Sequence, residues 1–272
     1  MDINNIKSCL QNGNWEAEDY RSLKNNLTIM VQNAITTFKP LKSKDYNENP
    51  IQLLDFFCGA GGTSLGFAAL NQIVPAFKLL GGCDINKVSA ETYSHNYNTK
   101  IINQDVTELA YDEDKLERLL DEIGYDSKKP TILIGCAPCQ GFTSHRKKHW
   151  ADGDDGRNTL ILAFAEIVKK MKPDVIIMEN VPEFLSKKYW KYFSTAKKRF
   201  EESGYIVKQS IYNAASFGVP QERFRAIVIG MRHNFLLPEG LLEPTEYKTV
   251  REAIGNLPPV KAGVADPQDP MH

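Results

Sequence analysis

The chain has 272 residues, enough for one large hydrophobic core or two modest ones. Its 33 basic and 34 acidic residues nearly cancel, so no global field marks it for nucleic acid or membrane, and any nucleic-acid surface must be local. No apolar run approaches membrane-spanning length and Met1 to Leu10 lacks a signal-peptide core, which together predict a cytoplasmic protein.

Taken in order, residues 1–50 precede the first strand. Leu23, Leu27, Met30, Val31, Ala34, Ile35 and Phe38 share one helical face, predicting a helix from about Leu23 to Phe38. Pro40 and the polar stretch to Pro50 form a linker. Leu53, Leu54, Phe56 and Phe57 then make an apolar run of strand length, closed by the turn Gly59-Ala60-Gly61-Gly62. Thr63 and Ser64 supply hydroxyls at a helix start before Leu65, Phe67 and Ala68 take up helical spacing. Strand, glycine turn and helix make the first unit of a doubly wound sheet. A second apolar stretch, Phe77 to Cys83, leads to Asp84, which lies 22 residues beyond Gly62. That spacing suits a carboxylate accepting from ribose hydroxyls, so a nucleoside cofactor is predicted.

Ile101 and Ile102 suggest a short third strand before Asn103-Gln104-Asp105-Val106. Thr131 to Ile134 and Asp174 to Met178 are unbroken apolar runs of the buried parallel type. Leu160, Phe164, Ile167, Val168 and Met171 mark a helix between them. Leu185, Tyr189, Tyr192, Phe193, Ala196 and Phe200 mark another, with Lys187, Lys188, Lys191, Lys197 and Lys198 opposite. Tyr205 to Tyr212 and Ala226 to Met231 read as two late strands around the loop Ala214 to Arg225. The sum is an α/β fold: a doubly wound, mostly parallel sheet of about seven strands alternating with helices.

Three loops carry candidate chemistry. Gly135-Cys136-Ala137-Pro138-Cys139-Gln140-Gly141-Phe142 follows a strand directly, and loops at the carboxyl ends of strands line the ligand crevice of such a sheet. Cys139 stands where a nucleophile is useful, and the polar loop Gly141 to Asn158 could close over a substrate. Of the five cysteines, Cys136 and Cys139 form a CxxC, but no second pair or histidine cluster completes a metal site, so no metal is expected. Glu179-Asn180-Val181-Pro182 ends a strand at the same edge. Gln221-Glu222-Arg223-Phe224-Arg225 precedes the last strand, with Arg223 and Arg225 spaced to point one way as two forks.

Together these elements resemble, in order and spacing, the cytosine-5 DNA methyltransferases, over roughly Ile51 to Pro259. The resemblance implies the Rossmann-like fold of S-adenosylmethionine-dependent methyltransferases, S-adenosylmethionine as cofactor with S-adenosylhomocysteine as product, and flipping of the target cytosine out of double-stranded DNA. By position, Cys139 is similar to the nucleophile that adds to carbon 6, which turns the ring into an enamine able to accept a methyl group at carbon 5. Glu179 resembles the residue that holds and protonates ring nitrogen 3, and Arg223 and Arg225 the pair steadying the flipped base and its phosphate. Around the cofactor, Phe57, Gly59, Gly61 and Gly62 match the receiving turn. Asp84 and Ile85 match the ribose and adenine contacts, Asp105 and Val106 the adenine edge, Pro138 and Leu160 the remaining wall. A bacterial or phage-like restriction-modification role follows from the same resemblance.

Two departures stand out. Ala137 occupies a position where the family often has proline, and only 13 residues follow Pro259, where a target-recognition region should begin. Thr249 to Pro259 resembles the connection into that region. Lys24 to Ile35 resembles the family's final motif, with Asn25 at its asparagine, so residues 1–50 are either a plain helical extension with linker or that motif relocated by circular permutation. The predicted organisation is therefore 1–50 as extension, 51–248 as catalytic domain and 249–272 as the start of a connection, with recognition carried by a second polypeptide or by a region not in this sequence. The rival readings are a tRNA cytosine-5 methyltransferase and a non-catalytic subunit that needs a partner. Intact Cys139, Glu179, Arg223 and Arg225 argue against decay.

Overall fold

A computed structural model describes residues 46, 48–138 and 159–257. The expected helix from Leu23 to Phe38, Asn25, Cys139 and the loop Gly141 to Asn158 lie outside the described residues.

The apolar runs form the sheet they predict. Strand β1 (Ile51–Phe56) pairs in parallel with β2 (Phe77–Cys83) on one side and β3 (Thr131–Gly135) on the other. Strand β3 pairs in parallel with β4 (Val175–Asn180), and β4 runs antiparallel to β6 (Phe224–Met231). With β5 (Ile206–Asn213) at the far edge, the order is β2-β1-β3-β4-β6-β5. Because β2 and β3 lie on opposite sides of β1, the winding reverses there. A doubly wound sheet opens its ligand crevice at that switch point, outside the carboxyl ends of the strands.

Helices cover both faces. Leu54, Phe56, Leu133 and Ile176 face a core completed by Phe164, Ile167 and Val168 of α5 (Leu160–Met171) and Phe193 and Phe200 of α6 (Trp190–Glu202). Leu53, Ile132 and Ile134 face the other way, against Phe67 of α1 (Gly62–Leu70). Side-chain caps set three further helix starts: Asn86 for α2 (Lys87–Tyr97), Asp105 for α3 (Val106–Tyr111) and Asp112 for α4 (Glu113–Glu122).

Among the described residues there are six strands where the sequence suggested about seven. Ile102 makes a single parallel bridge to Cys83. Asp105 then accepts from the Thr107 amide at 2.7 Å and starts α3 at Val106, so the chain leaves the sheet before a strand can grow. Leu185 falls in a 3-10 turn (Pro182–Leu185), and α6 begins only at Trp190. A second compact unit comprises Asn213–Arg223 and residues from Gly240 onward, and it includes α7 (Val250–Ile254) with a Thr249/Glu252 capping box. Among the described residues no helix is long and apolar enough to cross a membrane.

Candidate active site

The glycine turn after β1 is held from two sides. Phe57, Gly59 and Gly61 all have positive φ, at 59°, 54° and 94°. Phe57 pays a steric cost there that glycine does not. The amide of Gly59 donates to Asp84 Oδ2 at 2.9 Å, and the amide of Asn86 donates to Asp84 Oδ1 at 2.8 Å. Asp84 therefore ties the first turn to the end of β2, and each oxygen keeps a lone pair for a further donor. From α2, Tyr97 donates its hydroxyl to the Gly61 carbonyl at 2.6 Å. A Cβ on Gly61 would lie 2.2 Å from Tyr97 Cε2, whereas at Gly59 and Gly62 it would meet nothing within 4 Å. The turn is closed on its tyrosine side and open on the other.

Helix α1 starts at this turn with Gly61 as its N-cap and no side-chain cap. Thr63 and Ser64 were expected to serve the helix start and do not. Ser64 Oγ donates instead to Asp55 Oδ2 at 2.7 Å and lies 2.9 Å from the Tyr93 hydroxyl, while Thr63 Oγ1 lies 3.3 Å from Cys136 Sγ. The reason is burial: Asp55 and Ser64 are almost fully enclosed, and an enclosed carboxyl takes the nearest donor. The uncapped amides and the open side of Gly59 and Gly62 suit the anionic and bulky parts of a nucleoside cofactor.

The expected cofactor wall is assembled unevenly. Ile85 is 70% exposed beside Asp84, an apolar surface free to meet a ring. Asn103, not singled out in the sequence, donates to the carbonyls of both Asp84 and Ile85, at 3.0 and 2.9 Å. Asp105 caps α3, and Val106 is 3% exposed and packs within the main core. Phe57, Pro138 and Leu160 are half-buried.

The second edge of the crevice joins β3, β4 and β6. Glu179 Oε1 accepts from Arg225 Nε at 2.6 Å. In the β4–β6 register Glu179 faces Ile227, so Arg225, two residues along, is its diagonal neighbour on the same face. Arg225 also donates to its neighbour's carbonyl, Phe224 O, at 2.7 Å. Next to Glu179, Asn180 donates to the Ala137 carbonyl at 3.2 Å and accepts from the Val181 amide at 2.8 Å. This buried amide fastens the end of β4 to the loop leading into Cys139. Arg223 does not share the strand with Arg225. It precedes β6 in the second unit, where its amide donates to Asn213 Oδ1 at 3.1 Å and its side chain is exposed. Cys136 is a poor nucleophile: burial first, then the nearby Asp55 charge, pushes its thiol up to about 12.

A sequence model described as C-5 cytosine-specific DNA methylase matches residues 51–263. The chain belongs to this family. A type II methyltransferase of Haemophilus parahaemolyticus is 36% identical over 77% of this chain and 54% of its own length. A type II methylase of Herpetosiphon aurantiacus is 30% identical over 81% of this chain and 58% of its own. The chain thus spans about half the length of these relatives. Among solved structures, a protein encoded within an E. coli prophage and described as a DNA modification methyltransferase superposes with a TM-score of 0.60 at 25% identity, over 77% of this chain and 56% of that one. The Glu179–Arg225 contact lies within the matched residues and joins two stretches that are 46 positions apart in the chain.

Proposed function

We propose that residues 51–248 form the catalytic, S-adenosylmethionine-binding part of a DNA (cytosine-5)-methyltransferase serving a restriction-modification system. The observation that carries the reading is the Glu179–Arg225 ion pair at the carboxyl end of β4, fastened through Asn180 to the loop that leads into Cys139. The cytosine is flipped out of double-stranded DNA, because its reacting carbons are inaccessible inside the stack. Cys139 adds as a thiolate to carbon 6, and Glu179 holds ring nitrogen 3 and supplies the proton that nitrogen needs. Arg225 keeps the Glu179 carboxyl pointed at the base, and Arg223 is assigned to the phosphate or base of the flipped nucleotide. The cofactor supplies an electrophilic methyl group for carbon 5.

Gly59, Gly61 and Gly62 with Phe57 would receive the cofactor, Asp84 its ribose and Ile85 its adenine, with Asp105, Pro138 and Leu160 around it. Asn25 joins this set in the relocated-motif reading of residues 1–50. Sequence recognition is assigned to a region beyond residues 51–248, on this polypeptide or a second one.

The test is a duplex oligonucleotide carrying 5-fluorocytosine, from which the adduct cannot be released by loss of a proton. With cofactor, wild type and Cys136→Ala should form a stable protein–DNA adduct, while Cys139→Ser should bind cofactor and form none. An adduct that survives Cys139→Ser would sink the assignment.

A further inference from the structure

Beneath the glycine turn lies a carboxyl group that the assignments above leave without a task. Asp55 is 1% exposed on β1, facing α1. One oxygen accepts from Ser64 Oγ at 2.7 Å, and the other, Oδ1, is buried with no hydrogen-bond partner among the described residues. An unmade hydrogen bond on a buried carboxyl is costly and calls for a reason. The groups facing Asp55 do not neutralise it. Asp84, at the end of β2, carries the same sign and raises its proton affinity. Cys58 in the turn, Tyr93 and Tyr97 on α2 and Cys136 after β3 are all held neutral, mainly by burial. Among the described residues no lysine, arginine or histidine pairs with Asp55 or Asp84. Two carboxyl groups thus sit at one turn with no cation paired to them among the described residues.

Resting on the cofactor assignment above, we propose that Asp55 and Asp84 form an anionic floor that favours the cationic cofactor over its neutral thioether product. S-Adenosylmethionine carries a sulfonium charge that S-adenosylhomocysteine lacks, and the two are otherwise alike in shape. In a low-dielectric site a charge near the ligand would be felt without direct contact. Ionised Asp55 therefore strengthens binding of the sulfonium form and does little for the thioether, which helps product leave. Asp55 itself titrates at about 7 in the ligand-free chain, desolvation being the main cause, so this selectivity grows as the solution passes from acid to mildly basic. Binding of the cation near neutrality transfers the Asp55 proton to solvent.

Titration calorimetry of both ligands at pH 6 and pH 8.5, in buffers of differing ionisation enthalpy, tests this. The ratio of the two dissociation constants should shift towards the sulfonium form on the order of tenfold between these pH values. Proton release near pH 7 should accompany S-adenosylmethionine binding and not S-adenosylhomocysteine binding. Asp55→Asn should flatten the pH dependence of the ratio. Ser64→Ala, which removes the hydrogen bond favouring ionised Asp55, should move the midpoint to higher pH. Wild type alone decides the matter if either variant fails to fold. A ratio that does not change with pH in wild type overturns the anionic floor and leaves the cofactor assignment standing. Failure of both ligands to bind wild type at any pH overturns the cofactor assignment and the floor with it.

Discussion

Glu179 and Arg225 meet at 2.6 Å although they belong to different strands and to different signatures in the sequence. Both are partly exposed at the crevice edge, so the contact is a way of aiming a carboxyl rather than a large source of stability. Arg225 reaches Glu179 through Nε and the Phe224 carbonyl through Nη1, a fixed fork that lysine cannot reproduce, which makes the position sensitive to a change that preserves charge.

Arg225→Ala should therefore lower the rate of methyl transfer to DNA by roughly 10²-fold, the scale of one misplaced catalytic group, and leave cofactor affinity within about twofold. Arg225→Lys should recover only part of the rate. Single-turnover kinetics together with cofactor titration separate the two effects. A rate loss matched by an equal loss of cofactor binding would show that Arg225 supports the fold instead.

The glycine turn predicts a contrast between neighbours. Gly61→Ala drives a Cβ into Tyr97 and forces a positive φ on alanine, so it should lower stability by about 2–4 kcal/mol in urea unfolding. Gly62→Ala meets no atom within 4 Å and starts a helix, so its stability should match wild type or rise slightly. If the open side of the turn receives the cofactor, Gly62→Ala should nevertheless weaken cofactor binding.

Asp55 makes stability depend on pH in a definite direction. Its carboxyl is raised from 3.8 to about 7, so the folded chain holds this proton more tightly than the unfolded one. Its stabilising contribution is complete below about pH 4 and is lost as the pH rises through about 7. The upper bound on the change is on the order of 4 kcal/mol. Chemical denaturation at pH 5 and pH 8 without cofactor should show wild type losing stability relative to Asp55→Asn over this range. Equal pH profiles for the two proteins would contradict the burial of an ionisable Asp55.

Intrachain partners divide the positive charge of the lysine-rich stretch into two groups. On α6, Lys197 lies 3.8 Å from Glu201 and Lys198 lies 3.7 Å from Glu202, and Arg199 pairs with Glu166 at 2.7 Å. Lys187 and Lys188 precede the helix, with Lys188 over the Tyr189 ring rather than on a carboxylate. The double change Lys187→Glu with Lys188→Glu should weaken DNA binding and lower the salt slope by about 2, whereas Lys197→Ala with Lys198→Ala should leave that slope nearly unchanged. Fluorescence anisotropy across a salt series reads both.

The sequence alone determined the strand–turn–helix start of the fold, five of the six other apolar runs as strands within about two residues, and the four motifs whose order and spacing resemble a methyltransferase family. These are local facts: an apolar run of strand length, a glycine cluster and a carboxylate at a strand end are each set by neighbours in the chain. Tertiary structure decided what those residues do to one another. The antiparallel β4–β6 register, invisible to periodicity, selects Arg225 as the partner of Glu179. The packing of α2 under the turn turns Gly61 into a steric necessity and leaves Gly59 and Gly62 open. Burial converts Ser64 from an expected cap into a donor to Asp55 Oδ2, and among the described residues leaves Oδ1 of that carboxyl unpaired. Sequence spacing cannot encode these outcomes, because hydrogen-bond partners and proton affinities depend on which distant segments fold against a residue and how completely they exclude water.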